Sequence, residues 1–256
     1  MTLLLTDWAS DDRGEADAAP SARAFSRWGA RAATVYTDSY ARRYRDADEA
    51  AGVHAGFSEW LRGVCARFDH PFEALDLGCG TGRYFQALSG ARRLVGIDVS
   101  GPMLEYARRP IGVVAMPAGW LTLVEGDFLQ QEFRPGEFDL VYSIGVLAEH
   151  APFDQAVAAR VRRWLRPGGR FAFTTVHPLS FSVPRTMKRR AGEWLASIAR
   201  GRVRRALRSR LMSEGIYADE ERVREVLGAE GFAIETIEVL VSDVHQHMLV
   251  VAVKRS

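Results

Sequence analysis

Hydrophobic positions change rhythm along this chain. From residue 23 to 67 they recur at helical spacing: Tyr36, Tyr40 and Tyr44 stand four apart, and Phe57, Trp60, Leu61 and Val64 form one stripe. Short apolar runs follow: "EALDLG" (73–78), "RLVGID" (93–98), "LTLVEG" (121–126), "FDLVYSIG" (138–145) and "RFAFTTVH" (170–177). The segments 83–89, 101–109 and 152–165 between them predict helices. "LRPGG" (165–169) ends the third with Pro and Gly and turns into the next strand. A helix over 219–230 and strands over 232–239 and 247–254 close the chain. Strands alternating with helices predict an α/β fold whose parallel sheet is covered on both faces. Residues 1–22, rich in Ala, Asp, Ser and Gly and without periodicity, predict a flexible N-terminal tail. Residues 23–256 then make one domain, with 23–70 as a helical cover. No internal repeat is visible.

The chemistry concentrates in "ALDLGCGTGRYFQAL" (74–88), where Gly78, Gly80 and Gly82 follow a strand and precede a helical pattern. Glycines at such a turn let the backbone approach a ligand closely. A phosphate-binding P-loop needs a lysine about six residues on; Tyr84 stands there, so that reading fails. A dinucleotide turn wants a third small residue where Arg83 stands, which disfavours a nicotinamide oxidoreductase.

"LDLGCGTGRY", then "LVGIDVSGPMLEYAR", "VEGDF", "FDLVYSIGVL" and "LRPGGRF", resembles the class I S-adenosylmethionine-dependent methyltransferases. Five motifs in order carry the resemblance, from about Tyr36 to Lys254 with 179–215 uncovered. It implies a Rossmann-like, seven-stranded, mostly parallel sheet whose last strand inserts antiparallel, an N-terminal helical cover, and a helical lid insertion. The implied cofactor is S-adenosylmethionine, leaving as S-adenosylhomocysteine. This cofactor has no pyrophosphate and requires no lysine. Gly78, Cys79, Gly80 and Gly82 would pack against its methionine and ribose portion, with Cys79 the small residue within the turn. Asp76 could take the ammonium, directly or through water. Asp98, ending the second strand, offers two oxygens to the ribose hydroxyls. Asp127 could accept from the adenine amino group, with Phe128 on the ring and Val99 and Met103 opposite. Ser143 and Gly145 should face the methionine end, and Tyr44 or Tyr40 would reach in from the cover. Packing alone competes as an explanation of the tyrosines, and simple turn formation as one of Asp127.

Methyl transfer is an in-line displacement that rewards alignment and exclusion of water, and a base only where the acceptor must lose a proton. Candidates at the ends of the fourth and fifth strands are Glu149 and His150 in "VLAEHAP" and His177 in "TTVHP". "VLAEH" holds one residue more than the family's common "VLEH". His245 and His247 alternate on a strand as metal ligands might, but no third ligand is apparent, so no metal is expected.

Charge adds one feature. The net charge is +2, yet 185–210 holds ten basic residues against Glu193, a local +9 that leaves −7 elsewhere. Apolar residues there, including Trp194, Leu195, Ile198, Val203, Leu207 and Leu211, recur at three or four, suggesting amphipathic helices over 179–215 with arginine-rich outer faces. A solvated basic face is one reading; attraction of an anionic small molecule, lipid headgroups or RNA is the other. No aromatic-plus-basic RNA motif accompanies it, which argues against nucleic acid. Cys65 and Cys79 offer neither a disulfide framework nor a CxxC pair, the start is too acidic for a signal peptide, and no apolar run reaches the roughly 20 residues of a spanning helix. A cytoplasmic protein is expected. Its expected activity is methyl transfer to O, N or C of a small-molecule acceptor, anionic or lipid-like if the basic stretch recruits it. A methyltransferase of RNA or another macromolecule, and a non-catalytic S-adenosylmethionine-binding protein, are the alternatives.

Overall fold

The computed structural model describes residues 25–113, 116–176, 198, 203, 218–241 and 246–255. The predicted 1–22 tail, His177, His245 and nearly all of the 179–215 insertion lie outside the described residues; Ile198 and Val203, described individually, are helical and exposed.

Three helices lead: α1 (Arg27–Val35), α2 (Asp38–Ala51) and α3 (Ala55–Cys65). Then come β1 (Phe72–Leu77), β2 (Ala91–Asp98), α4 (Gly101–Ala107), β3 (Leu121–Glu125), β4 (Phe138–Ser143), α5 (Gln155–Trp164), β5 (Leu165–Val176), α6 (Glu220–Ala229), β6 (Phe232–Val241) and β7 (Gln246–Lys254). Helix starts follow capping chemistry. Ser26, Ser100, Asp154 and Asp219 each accept a backbone N–H of the first turn, and Pro102 sits where its missing N–H costs nothing.

The seven strands form one sheet in the order β3-β2-β1-β4-β5-β7-β6. β7 runs antiparallel between β5 and β6, and the β1–β5 pairings are parallel. The sheet separates two cores, because alternate strand residues face opposite sides. Leu75, Leu77, Val141 and Val250 pack with α5 and α6 on one face; Ala74, Leu140, Leu249 and Val251 pack with α3 on the other. Both faces are therefore covered, as the continuous apolar runs required.

Two expectations are corrected. The segment 83–89 forms only a single 3₁₀ turn, Phe85–Ala87. Gly82 at φ +73° and Gly90 at φ +85° bound it, leaving too few residues for an α-helix. "LRPGG" is not a separate turn but a bulged start of β5. Phe138 pairs with Leu165 and Leu140 already with Arg170, so the residues between loop out, with Gly168 at φ +76°. Arg166 fills the bulge, reaching Asp139 at 2.5 Å and Glu73 at 3.3 Å.

Candidate active site

A cavity of about 320 Å³ opens at the carboxyl ends of β1, β2 and β4, where parallel sheets bind ligands, with α1 and α2 along its other side. Gly78 and Gly80 floor it with φ of +75° and +54°. A Cβ on Gly78 would strike Val146 Cγ2 at 2.6 Å, whereas one on Gly80 would meet no protein atom within 4 Å and would point into open space. The turn is thus a cradle that a side chain at Gly80 would fill. Beside it, Asp98 Oδ2 accepts from Gly80 N (2.9 Å) and Oδ1 from Ser100 N (2.9 Å). A carboxylate has about four acceptor positions, so both oxygens retain capacity for a ligand diol. Burial raises the Asp98 pKa, while backbone N–H groups of Ser100, Gly80 and Val99 oppose the shift.

The cover is pinned shut over this cavity. Ser26 N donates to Asp127 Oδ2 (2.8 Å), and Gly29 alone permits so close an approach, since a Cβ there would lie 2.3 Å from that oxygen. Ser100 Oγ donates to Tyr36 O (2.6 Å), and Arg45 Nη1 to Arg109 O (2.8 Å). Further along α2, Asp48, 4% exposed, holds Arg83 from the glycine turn at 2.5 and 2.8 Å. The Arg83 guanidinium lies over the Tyr44 ring at 4.0 Å; Tyr44 stacks on Tyr40, and Tyr40 and then His150 meet Tyr36 edge-on. Burial pushes the Tyr84 phenol up to about 12, with Arg83 opposing. At this end Glu149 Oε1 lies 3.6 Å from His247 Nδ1, and the Phe57 ring stands edge-on to that imidazole at 5.0 Å.

Residues 75–173 match a family described as a methyltransferase domain. Over these residues the chain is similar to the class I S-adenosylmethionine-dependent methyltransferases. The nocamycin O-methyltransferase of Saccharothrix syringae is 31% identical over 170 residues, 62% of this chain and 53% of that protein. The ubiquinone biosynthesis O-methyltransferase of Thiobacillus denitrificans is 33% identical over 106 residues, 41% of this chain and 44% of that protein. A sterol 24-C-methyltransferase of Gibberella zeae aligns over only 26% of its length, so the chain spans about half or less of the curated relatives it matches. Among solved structures, the magnesium protoporphyrin IX methyltransferase of Synechocystis with bound S-adenosylmethionine superposes with a TM-score of 0.60 at 18% identity, over 91% of this chain and all of that one. That likeness shows the fold.

Of the residues singled out from the sequence, Tyr44, Gly78, Gly80, Asp98, Val99, Met103, Asp127, Phe128, Gly145, Glu149 and His150 all line the cavity. Asp76, Cys79, Gly82 and Ser143 do not. Asp76 lies buried beneath the turn, where burial, only partly offset by Tyr142, raises its pKa to about 8. Cys79 packs into space left by Gly96, and burial lifts its thiol well above the usual range. Ser143 Oγ is turned inward, donating to Leu77 O at 2.9 Å. The protein around His150 lowers its pKa against the pull of Glu149, and the residue stands at the outer rim. His247, Arg83, Tyr84 and Trp28 join the cavity without having been singled out as cofactor or catalytic residues. For Arg83 a signal existed: Tyr44 and Asp48, one turn apart on α2, put an acid on the tyrosine face, and a buried acid implies a cation. His247 had none, because only the antiparallel insertion of β7 brings it to Glu149.

Proposed function

We propose that this chain transfers the methyl group of S-adenosylmethionine to a small-molecule acceptor. The observation carrying the reading is the pairing of Asp98 with the Gly80 cradle: a carboxylate with spare acceptor capacity ending β2, beside a backbone floor with room for a ligand. S-adenosylmethionine supplies an electrophilic methyl on a positive sulfur. Asp98 would hold the ribose diol, and Asp127 and Phe128 the adenine. Asp127 keeps one oxygen on Leu129 N and the other on Ser26 N, so an adenine amino group would share an oxygen with the cover. The tyrosines and the pinned helices exclude water, and the remaining cavity near Glu149 would receive the acceptor. Relatives of stated small-molecule chemistry, the nocamycin and ubiquinone O-methyltransferases, support an acceptor of that size. An anionic or lipid-like acceptor, or contact of the protein with a membrane surface, rests on the basic stretch 185–210 alone.

The test is transfer of labelled methyl from S-adenosylmethionine to a panel of small hydroxyl, amine and acidic carbon compounds. Label should move to at least one acceptor with wild type and fall by ten-fold or more with Asp98→Ala at limiting cofactor. Equal transfer by the variant would remove Asp98 from the account. Replacing Arg202, Arg204, Arg205 and Arg208 together by Gln should raise the acceptor KM several-fold with cofactor affinity unchanged; an unchanged KM would sever the basic stretch from the acceptor.

A further inference from the structure

Resting on that reading, we propose that Glu149 and His247 form a proton-accepting pair at the acceptor end of the cavity, serving an acceptor that must lose a proton as it is methylated, such as a hydroxyl compound. Both side chains line the cavity and are nearly buried, at 15% and 12% exposure. Glu149 Oε1 and His247 Nδ1 are both shielded from solvent and face each other at 3.6 Å, one small side-chain adjustment from a hydrogen bond. Catalytic hydrogen bonds are commonly this long before substrate arrives. Each residue is held from behind. Glu149 sits in the tight turn after β4, where Glu149 N and His150 N both donate to Val146 O. His247 belongs to β7, paired with Val176 on one side and Leu240 on the other. The Phe57 ring from α3 fixes the imidazole plane at 85°. Among the described residues, Tyr36, Tyr84 and His150 feel the charge of Glu149, and Arg31 acts on the neighbouring His150.

The chemistry follows from the pairing. A carboxylate beside Nδ1 keeps the proton of the neutral imidazole on that nitrogen, which leaves the Nε2 lone pair basic. His247 Nε2 would accept the hydroxyl proton of the acceptor as its oxygen forms the new bond to the methyl carbon. The carbon–sulfur bond breaks with its electron pair going to sulfur, and the resulting imidazolium is stabilised by Glu149. The proton then leaves to water with the product. A neutral amine or a carboxylate acceptor would have no need of such a base before attack, whereas an aromatic or enolic hydroxyl would. Phe57 and Tyr84, meeting edge-on at 6.1 Å beside the pair, offer an apolar wall suited to a flat acceptor. In these terms His247 is the catalytic base and Glu149 its positioning residue.

The test is nitrogen NMR of histidine-labelled protein, recorded with the rings neutral, as wild type and as Glu149→Ala. The neutral His247 ring should carry its proton on Nδ1 in the wild type, and the variant should move part of that proton to Nε2, because the carboxylate facing Nδ1 is lost. A wild-type ring protonated on Nε2, or a tautomer the variant leaves unchanged, would overturn the pair. Calorimetry with S-adenosylhomocysteine on His247→Gln completes the test: affinity should stay within two-fold of wild type. A ten-fold loss would assign the pair to the cofactor and overturn its acceptor role. Absence of binding by wild type itself would instead sink the methyl-transfer reading, and the NMR result would still decide whether the pair exists.

Discussion

Asp76 and Asp98 end neighbouring strands, yet their surroundings separate them. Asp98 keeps three backbone donors and faces the cavity, while Asp76 lies under the turn with its pKa raised to about 8. Its value unfolded is near 3.8, so the folded state holds a proton that the unfolded state gives up. Asp76 thus contributes full stability below pH 4, and that contribution is lost as pH rises through 8, by up to about 1.4 kcal/mol per unit. In Asp76→Asn this decline should vanish, so denaturant midpoints should fall less between pH 5 and 8 than in wild type; parallel curves would show that Asp76 is ionised in the folded protein. The glycines differ in kind too. Gly80→Ala should cost about 1 kcal/mol for its left-handed backbone and weaken S-adenosylhomocysteine binding by ten-fold or more, because its methyl enters the cradle. Gly78→Ala meets Val146 and should cost more stability. Chemical denaturation and calorimetry read the two effects separately.

Among the elements, α2 is tied to the glycine turn by the Asp48–Arg83 ion pair. Asp48→Ala strands Arg83, one-fifth exposed, beside Tyr44, and should cost about 3 kcal/mol. Adding Arg83→Met should recover most of that loss, measured by denaturant unfolding; no recovery would mean that the cover does not rely on the pair. Much at this scale was legible in sequence. The strands fall within a few residues of the apolar runs because strands covered on both faces must be apolar throughout. The 83–89 segment was misjudged because helical spacing in Tyr84, Phe85 and Leu88 reflects contacts around a 3₁₀ turn between two left-handed glycines. The extra residue in "VLAEH" was visible, but its accommodation was not. Ala148 takes φ +57°, the only non-glycine among the described residues with positive φ, and its N–H returns to Ala151 O at 2.9 Å. That tight turn aims Glu149 at the cavity. Asp98 and Asp127 could be found from position after a strand, and the Asp48–Tyr44 spacing on α2 pointed to a cation such as Arg83, whereas His247 required a long-range contact that no local pattern encodes.

The whole molecule is closed by its last strand. β7 lies inside the sheet, with Val250, Val251 and Ala252 fully buried, and it supplies His247. Ending the chain at residue 245 would strip β5 and β6 of their shared partner. It should abolish cooperative thermal unfolding rather than trim an edge, as circular dichroism would report; a truncated chain that still melts cooperatively would show that β7 is dispensable. The same topology gathers the cradle, the diol-facing carboxylate and the Glu149–His247 pair around a single cavity roofed by α1 and α2. The central claim is that this cavity holds S-adenosylmethionine through Asp98. Calorimetric titration of wild type and Asp98→Ala with S-adenosylhomocysteine tests it most directly. Micromolar binding by wild type, weakened ten-fold or more in the variant (about 1.4 kcal/mol or greater), is the predicted result. Equal binding by both proteins, or none by wild type, would contradict it.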